Sequence, residues 1–161
     1  MDITIEYLND HPEFVNTIAK WHYEQWHHIL PDFTLEKYIQ FLSTHYRRGD
    51  IPSLFVALYR DNIIGTAALE DHDTDTHPEL SPWLASLYVE KNHRRKGAGI
   101  TLVKRVIKEA QLNKVKKLYL FTLDQERFLK RFGWTVLFLE EYYGERVSVM
   151  VLDISPQTPS R

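Results

Sequence analysis

The chain contains no cysteine among its 161 residues. That removes disulfides, thiolate nucleophiles, iron–sulfur clusters and thiolate zinc sites together. Long apolar runs are also missing. No window approaches the ~18 consecutive apolar residues of a membrane span, so no membrane partner is expected. Residues Met1 to Glu6 show no basic start followed by an apolar stretch, and no signal peptide is expected there; a cytoplasmic location fits both observations. Charge of one sign is scarce as well. Lys and Arg number 20 against 22 Asp and Glu, a formal net charge of −2, whereas general nucleic-acid binding wants a strongly basic footprint. Neither G-x-G-x-x-G nor G-K-[ST] occurs, which leaves dinucleotide and nucleoside-triphosphate chemistry weakly supported.

What is present is an ordinary globular composition, 43% hydrophobic and 26% charged, which excludes disordered and fibrous classes. The length suits one domain. One domain over residues 1–154 is expected, with a disordered tail from Ser155 to Arg161 that is rich in Ser, Pro and Thr. Opposite charges are sorted along the chain. Between Glu70 and Glu90 there are six acids and no Lys or Arg; between Arg94 and Lys117 there are nine basic residues against Glu109 alone.

Periodicity orders the elements. Ile3 to Leu8 mixes β-formers and reads as a first strand. His11 to Ile29 repeats Phe14, Ile18, Trp21 and Val15, Ala19, Trp26 at helical spacing, stopped by Pro31. A second helix starts near Thr34, with Leu35, Tyr38, Ile39, Leu42 and Tyr46 as its stripe. Leu54 to Tyr59 and Ile63 to Leu69 form a hairpin whose positive-φ turn is expected at Asp61-Asn62. Trp83 to Val89 is a strand. After Gly99 a helix carries Ile100, Val103, Ile107 and Ala110 on one face and Lys104, Arg105 and Lys108 outside. Leu118 to Phe121, continuously apolar, suits a strand covered on both sides. Asp124 to Phe132 is a short helix ended by Gly133, and Trp134–Tyr142 and Arg146–Leu152 are a strand pair around Tyr143-Gly144. The order β-α-α-β-β-β-α-β-α-β-β gives a mixed α/β sheet with helices on both faces.

The most informative stretch runs from Leu87 to Ile100, where a strand enters a basic, glycine-bearing turn and a helix begins at once. Helix-start N–H groups are unpaired and the macrodipole favours negative charge there. Gly97 and Gly99 carry no Cβ to keep a phosphate off the backbone. Arg94, Arg95 and Lys96 add charge-assisted donors.

Arg94-x-x-Gly97-x-Gly99 after Leu87-Tyr88-Val89 resembles the acetyl-CoA signature Q/R-x-x-G-x-G/A of the GNAT acetyltransferase superfamily. Phe128-Leu129-Lys130-Arg131-Phe132-Gly133-Trp134 is similar to that superfamily's later F-Y-x-x-x-G-F/W block. The element order matches to about Ile154, so the resemblance covers nearly the whole chain. It implies a GNAT-like α/β fold with a central, mostly antiparallel sheet of about seven strands and about four helices on both faces. It implies acetyl-CoA as cosubstrate, without a metal. Backbone groups of Leu87, Tyr88 and Val89 would hold the pantetheine arm; Arg94, Arg95, Lys96, Gly97, Ala98, Gly99 and Ile100 would cradle the pyrophosphate. The thioester would lie between strand 83–89 and strand 118–122. The activity implied is N-acetyl transfer to a primary amine of a small molecule or peptide, directly within a ternary complex and by a monomer or homodimer.

The chemistry asks for a base, because an alkylamine is almost fully protonated at pH 7. It also asks for an oxyanion donor, for which a strand N–H near Leu87 is placed. The position where some relatives carry a carboxylate is Trp83, so Glu79 just upstream is the candidate base, beside its reading as a solvated loop residue. The usual acid, the Tyr of the second block, is Leu129. Tyr88, Tyr142, Tyr143 or solvent would take that role, unless the thiolate needs no acid or the chain is a non-catalytic acyl-CoA-binding or regulatory module. Glu90 reads as a cap of the basic turn and Asp124 as the N-cap of the following helix. Asp71, His72, Asp73, Asp75 and His77 include metal-ligand types but read first as a solvated loop. In the family's layout that loop borders the acceptor entrance, where its acids would attract a cationic amine. His22, His27 and His28 read as ordinary helix histidines, Trp21 as core and Trp26 as an acceptor-pocket residue.

Overall fold

The computed structural model describes residues 2–29 and 32–156; Pro31 and most of the expected tail lie outside them. The first strand, β1 (Thr4–Tyr7), leads through two short 3-10 turns into α1 (Val15–Trp26), shorter than the periodicity suggests because 3-10 turns take up both flanks. Then follows α2 (Leu35–Thr44), whose first turn is capped by Thr34, its hydroxyl accepting from Lys37 N. Strands β2 (Ser53–Tyr59), β3 (Asn62–Glu70) and β4 (Trp83–Val89) precede α3 (Ala98–Leu112), β5 (Lys117–Thr122), α4 (Glu126–Lys130), β6 (Thr135–Tyr142) and β7 (Glu145–Asp153). The seven strands form one sheet in the order β1-β2-β3-β4-β5-β7-β6. Every neighbouring pair is antiparallel except β4–β5. This is the mixed, mostly antiparallel sheet expected.

Two apolar cores explain the layering. One, around Phe55, Leu69, Leu102, Val106, Leu129 and Trp134, joins α3 and α4 to one face. The other, around Ile18, Ala19, Leu42, Leu54 and Val56, joins α1 and α2 to the opposite face. Alternating strand side chains serve the two faces in turn.

Four local expectations are corrected. The β2–β3 turn places Arg60 (φ 51°) and Asp61 (φ 64°) in the left-handed region, one residue earlier than Asp61-Asn62, because pairing starts at Asn62 with Tyr59. β5 alternates, with Leu118, Leu120 and Thr122 buried and Tyr119 and Phe121 half-buried. Arg105 is not an outward residue. Its guanidinium lies 4.4 Å from the Phe55 ring centroid and 3.2 Å from Glu109, a carboxylate buried in the α3 stripe. Asp124 does not cap α4: the Thr122 hydroxyl accepts from Asp124 N and Gln125 N instead.

Candidate active site

Strand β4 is fully paired on one edge only. Toward β3 it carries a bulge: Thr66 opposes Tyr88 and Ala68 opposes Ala85, so Ser86 and Leu87 together face Ala67. Ser86 takes φ 54° there. Toward β5 the parallel ladder consists of Trp83 with Tyr119 alone, after which the strands diverge. From Leu84 onward that edge of β4 has no ladder partner, and a cleft of about 1320 Å³ occupies the gap.

At the C-terminal end of β4 the cleft meets the basic turn. Arg95 (φ 64°) and Gly97 (φ 92°) are left-handed. The first helical bond of α3 runs from Thr101 N to Gly97 O at 3.1 Å, and no side chain caps the helix, so the N–H groups ahead of Thr101 are free for a ligand. Arg94 donates from Nε to Val89 O at 2.8 Å while its guanidinium covers the Tyr88 ring. Glu90 caps the turn as expected, accepting from Asn92 N and His93 Nδ1. Arg131, just past α4, also lines the cleft.

At the N-terminal end of β4 stands an acidic cluster with aromatic walls. Glu70, paired with Trp83 in the ladder, is buried. It accepts from His45 Nε2 at 2.8 Å and from the Tyr46 hydroxyl at 2.7 Å. Burial raises the Glu70 carboxyl above the ordinary glutamate range, and His45 and Tyr46 only partly offset the rise. Asp73 is raised well above the usual aspartate range, first by burial and then by the charge of Glu70. Trp26, Phe33, Tyr38 and Phe41 line this end with them, and among the described lining residues here there is no Lys or Arg.

Comparison with known proteins agrees with this geometry. Residues 14–134 match the model of the acetyltransferase (GNAT) family. The chain belongs to that family. No curated protein matches it in sequence. Among solved structures it is similar to aminoglycoside 6′-N-acetyltransferase complexed with coenzyme A, at TM-score 0.73 and 15% identity over 99% of this chain and 100% of that one. YncA of Salmonella typhimurium with its cofactor acetyl-CoA gives TM-score 0.72 and 15% identity over 100% and 99%. An N-acetyltransferase from Staphylococcus aureus Mu50 gives 0.73 and 17% over 96% and 100%.

Within this GNAT chain, Leu87, Tyr88, Val89, Arg94, Arg95, Gly97, Gly99 and Ile100 line the cleft. Lys96 does not and is exposed; Ala98 is buried, its side chain directed into the α3 core. Glu79 is not brought to the cleft. It is exposed on the loop after β3, 3.3 Å from His77 Nδ1, whereas Glu70 and Asp73 line the cleft. That loop is less free than its composition suggests: His77 Nε2 donates to Glu140, and the Tyr143 hydroxyl donates to Asp75. Asp71, His72 and Asp73 reach the cleft, whereas Asp75 does not. Of the three tyrosines considered as acid, only Tyr88 lines it; Tyr142 packs on Phe121. Trp26 lines the cleft as expected, while Trp21 is half-buried, stacked on Tyr88. Among the described residues no group of three metal-ligating side chains is assembled, and no helix is long and apolar enough to cross a membrane.

Arg131, Glu70 and the His45–Tyr46 pair escaped sequence reasoning. Arg131 carried a signal, since it lies inside the second resembling block; the others are assembled from segments far apart in the chain.

Proposed function

We propose that the chain up to Ile154 acts as one acetyltransferase domain, moving the acetyl group of acetyl-CoA directly onto the primary amine of a small cationic molecule. The observation that carries this reading is the single β4–β5 bridge, which leaves one edge of β4 free beside a cleft joining an anion-binding turn to an acidic pocket. The CoA and acetyl-CoA of two structural neighbours, and the aminoglycoside named for one of them, support it.

The free edge over Leu87–Val89 offers backbone partners to the pantetheine amides. Arg94, Arg95, the backbone from Gly97 to Ile100 and Arg131 receive the pyrophosphate. Glu70, held by His45 and Tyr46, takes the proton of the attacking ammonium; its raised pKa brings it nearer the operating pH, where a base works best. The nitrogen–carbon bond forms, the Leu87 N–H holds the oxyanion, and the carbon–sulfur bond breaks. CoA leaves as thiolate, and the second proton of the acylated nitrogen passes to it directly or through Tyr88 or solvent. Leu129 favours a second reading, because it is buried and has no proton to give: an acyl-CoA-binding module without turnover.

A thermal melt with acetyl-CoA, CoA and ADP tests the binding. At ~100 times Kd a ligand adds about 2.7 kcal/mol, roughly 5–10 °C for a domain of this size. No shift with acetyl-CoA overturns the proposal. A shift without thiol release across a panel of amines selects the second reading.

A further inference from the structure

A fully buried histidine stands beside the cleft with both ring nitrogens engaged. His22 Nε2 lies 2.8 Å from Thr66 Oγ1, and its Nδ1 lies 2.5 Å from the Tyr38 hydroxyl. Thr66 Oγ1 also lies 2.8 Å from the Ser86 carbonyl oxygen. A carbonyl only accepts, so the one Thr66 hydroxyl proton goes to Ser86. Thr66 then offers His22 only lone pairs, and Nε2 must carry the proton. Burial drives the His22 pKa down to about 3, so the ring is neutral and Nδ1 is an acceptor. The Tyr38 hydroxyl donates to it. This assignment satisfies all three contacts at once.

The chain therefore runs one way: Tyr38 O–H to His22 Nδ1, His22 Nε2–H to Thr66 Oγ1, Thr66 O–H to Ser86 C=O. It links α2, α1, β3 and β4. Its last member is the bulge residue, held at φ 54°, a region that disfavours L-residues and needs an external hold. Ser86 C=O and Leu87 N–H belong to one planar trans peptide, so they point in opposite directions. Fixing the carbonyl on Thr66 fixes the N–H.

We infer that Tyr38, His22 and Thr66 are positioning residues for acetyl transfer, setting the Leu87 N–H that receives the developing oxyanion. The inference rests on the acetyl-transfer reading above. Tyr38 also lines the acceptor end of the cleft, so an acceptor that displaces its hydroxyl is felt at the bulge through His22 and through the Ser86 side chain.

The test uses Thr66→Val, which keeps the shape and removes the hydroxyl, Tyr38→Phe, which removes the hydroxyl shared by His22 and the Ser86 side chain, and Thr66→Ser as rescue. With the full chain, acetyl-CoA and an amine that wild type acetylates, Thr66→Val is expected to lower kcat about 10–100-fold. The KM for acetyl-CoA should stay within about twofold, because only a contact specific to the transition state is disturbed. Tyr38→Phe is expected to lower kcat in the same direction by less, and Thr66→Ser to restore most of it. Nitrogen-15 spectra of the ligand-free chain should show His22 protonated on Nε2 alone, with the tautomer mixed in Thr66→Val. Wild-type kcat in both Thr66→Val and Tyr38→Phe, or a His22 protonated on Nδ1, overturns the positioning role and leaves acetyl transfer standing. A wild type that releases no thiol with any amine overturns both.

Discussion

His45 and Glu70, 25 residues apart in sequence, meet at 2.8 Å through Nε2 and Oε1, and Tyr46 closes on the other carboxylate oxygen at 2.7 Å. The end of α2 thus holds the last residue of β3 opposite Trp83, where the gap between β4 and β5 begins. A carboxylate buried and hydrogen-bonded in this way keeps one rotamer, which is what proton transfer at a fixed point requires.

Glu70→Gln keeps the shape and removes the carboxylate proposed as the base. Its kcat should fall by about 10²–10⁴, with the acetyl-CoA melting shift preserved. Burial raises the carboxyl, and activity requires its ionised form, so the acid limb of wild-type kcat/KM should lie above the ordinary carboxylate range and be lost in the variant. A pH profile of both proteins decides it.

Asp73→Asn should stabilise the protein while weakening acceptor binding. With its folded pKa raised above the unfolded value, Asp73 has no differential effect below the ordinary aspartate pKa, and stability falls as pH rises through the folded value. The melting-temperature advantage of the variant should therefore be absent at low pH and grow toward neutrality. The KM for a cationic acceptor should rise at the same time. Melts across pH and initial rates at neutral pH measure the two halves.

Gly97 and Gly99 should separate stability from binding. A Cβ on Gly97 meets nothing within 4 Å, but its φ of 92° does not suit alanine, so Gly97→Ala should cost about 1–2 kcal/mol without ligand. A Cβ on Gly99 meets Phe128 Cζ and Val89 Cγ2 at 3.8 Å, ordinary contact. Gly99→Ala should leave the ligand-free melt unchanged or slightly raised. It should raise the acetyl-CoA Kd by roughly tenfold or more, through loss of close backbone approach by the phosphate. Melts with and without acetyl-CoA report both.

Tyr7→Phe should act on stability alone. The Tyr7 hydroxyl donates to Glu109 Oε2 at 2.6 Å and accepts from Gly49 N at 3.1 Å. Glu109 is buried, and Arg105 remains as its partner. Losing the hydroxyl should cost about 1–3 kcal/mol, seen as a lower urea midpoint. Neither Tyr7, Arg105 nor Glu109 lines the cleft, so kcat and both KM values should stay at wild-type level.

The amino-acid sequence by itself determined what is local. Side-chain periodicity set the order of strands and helices, because one face of each element must be apolar. Arg94-x-x-Gly97-x-Gly99 marked the anion-binding turn, because a left-handed residue and a free helix start both leave signatures within a few positions. Cysteine-based chemistry was excluded by composition. Only the tertiary structure decided the rest. Glu70, Asp73, His45 and Tyr46 become one cluster because β3 and α2 end at the same point, and nothing within either segment encodes that meeting. Glu79 is the candidate base that the sequence offers, yet its loop turns it to solvent. His22 reads as an ordinary helix histidine until Thr66 and Tyr38, contributed by β3 and α2, close on its two nitrogens. Charge and hydrogen bonding at a site depend on distances across the fold, which spacing along the chain does not carry.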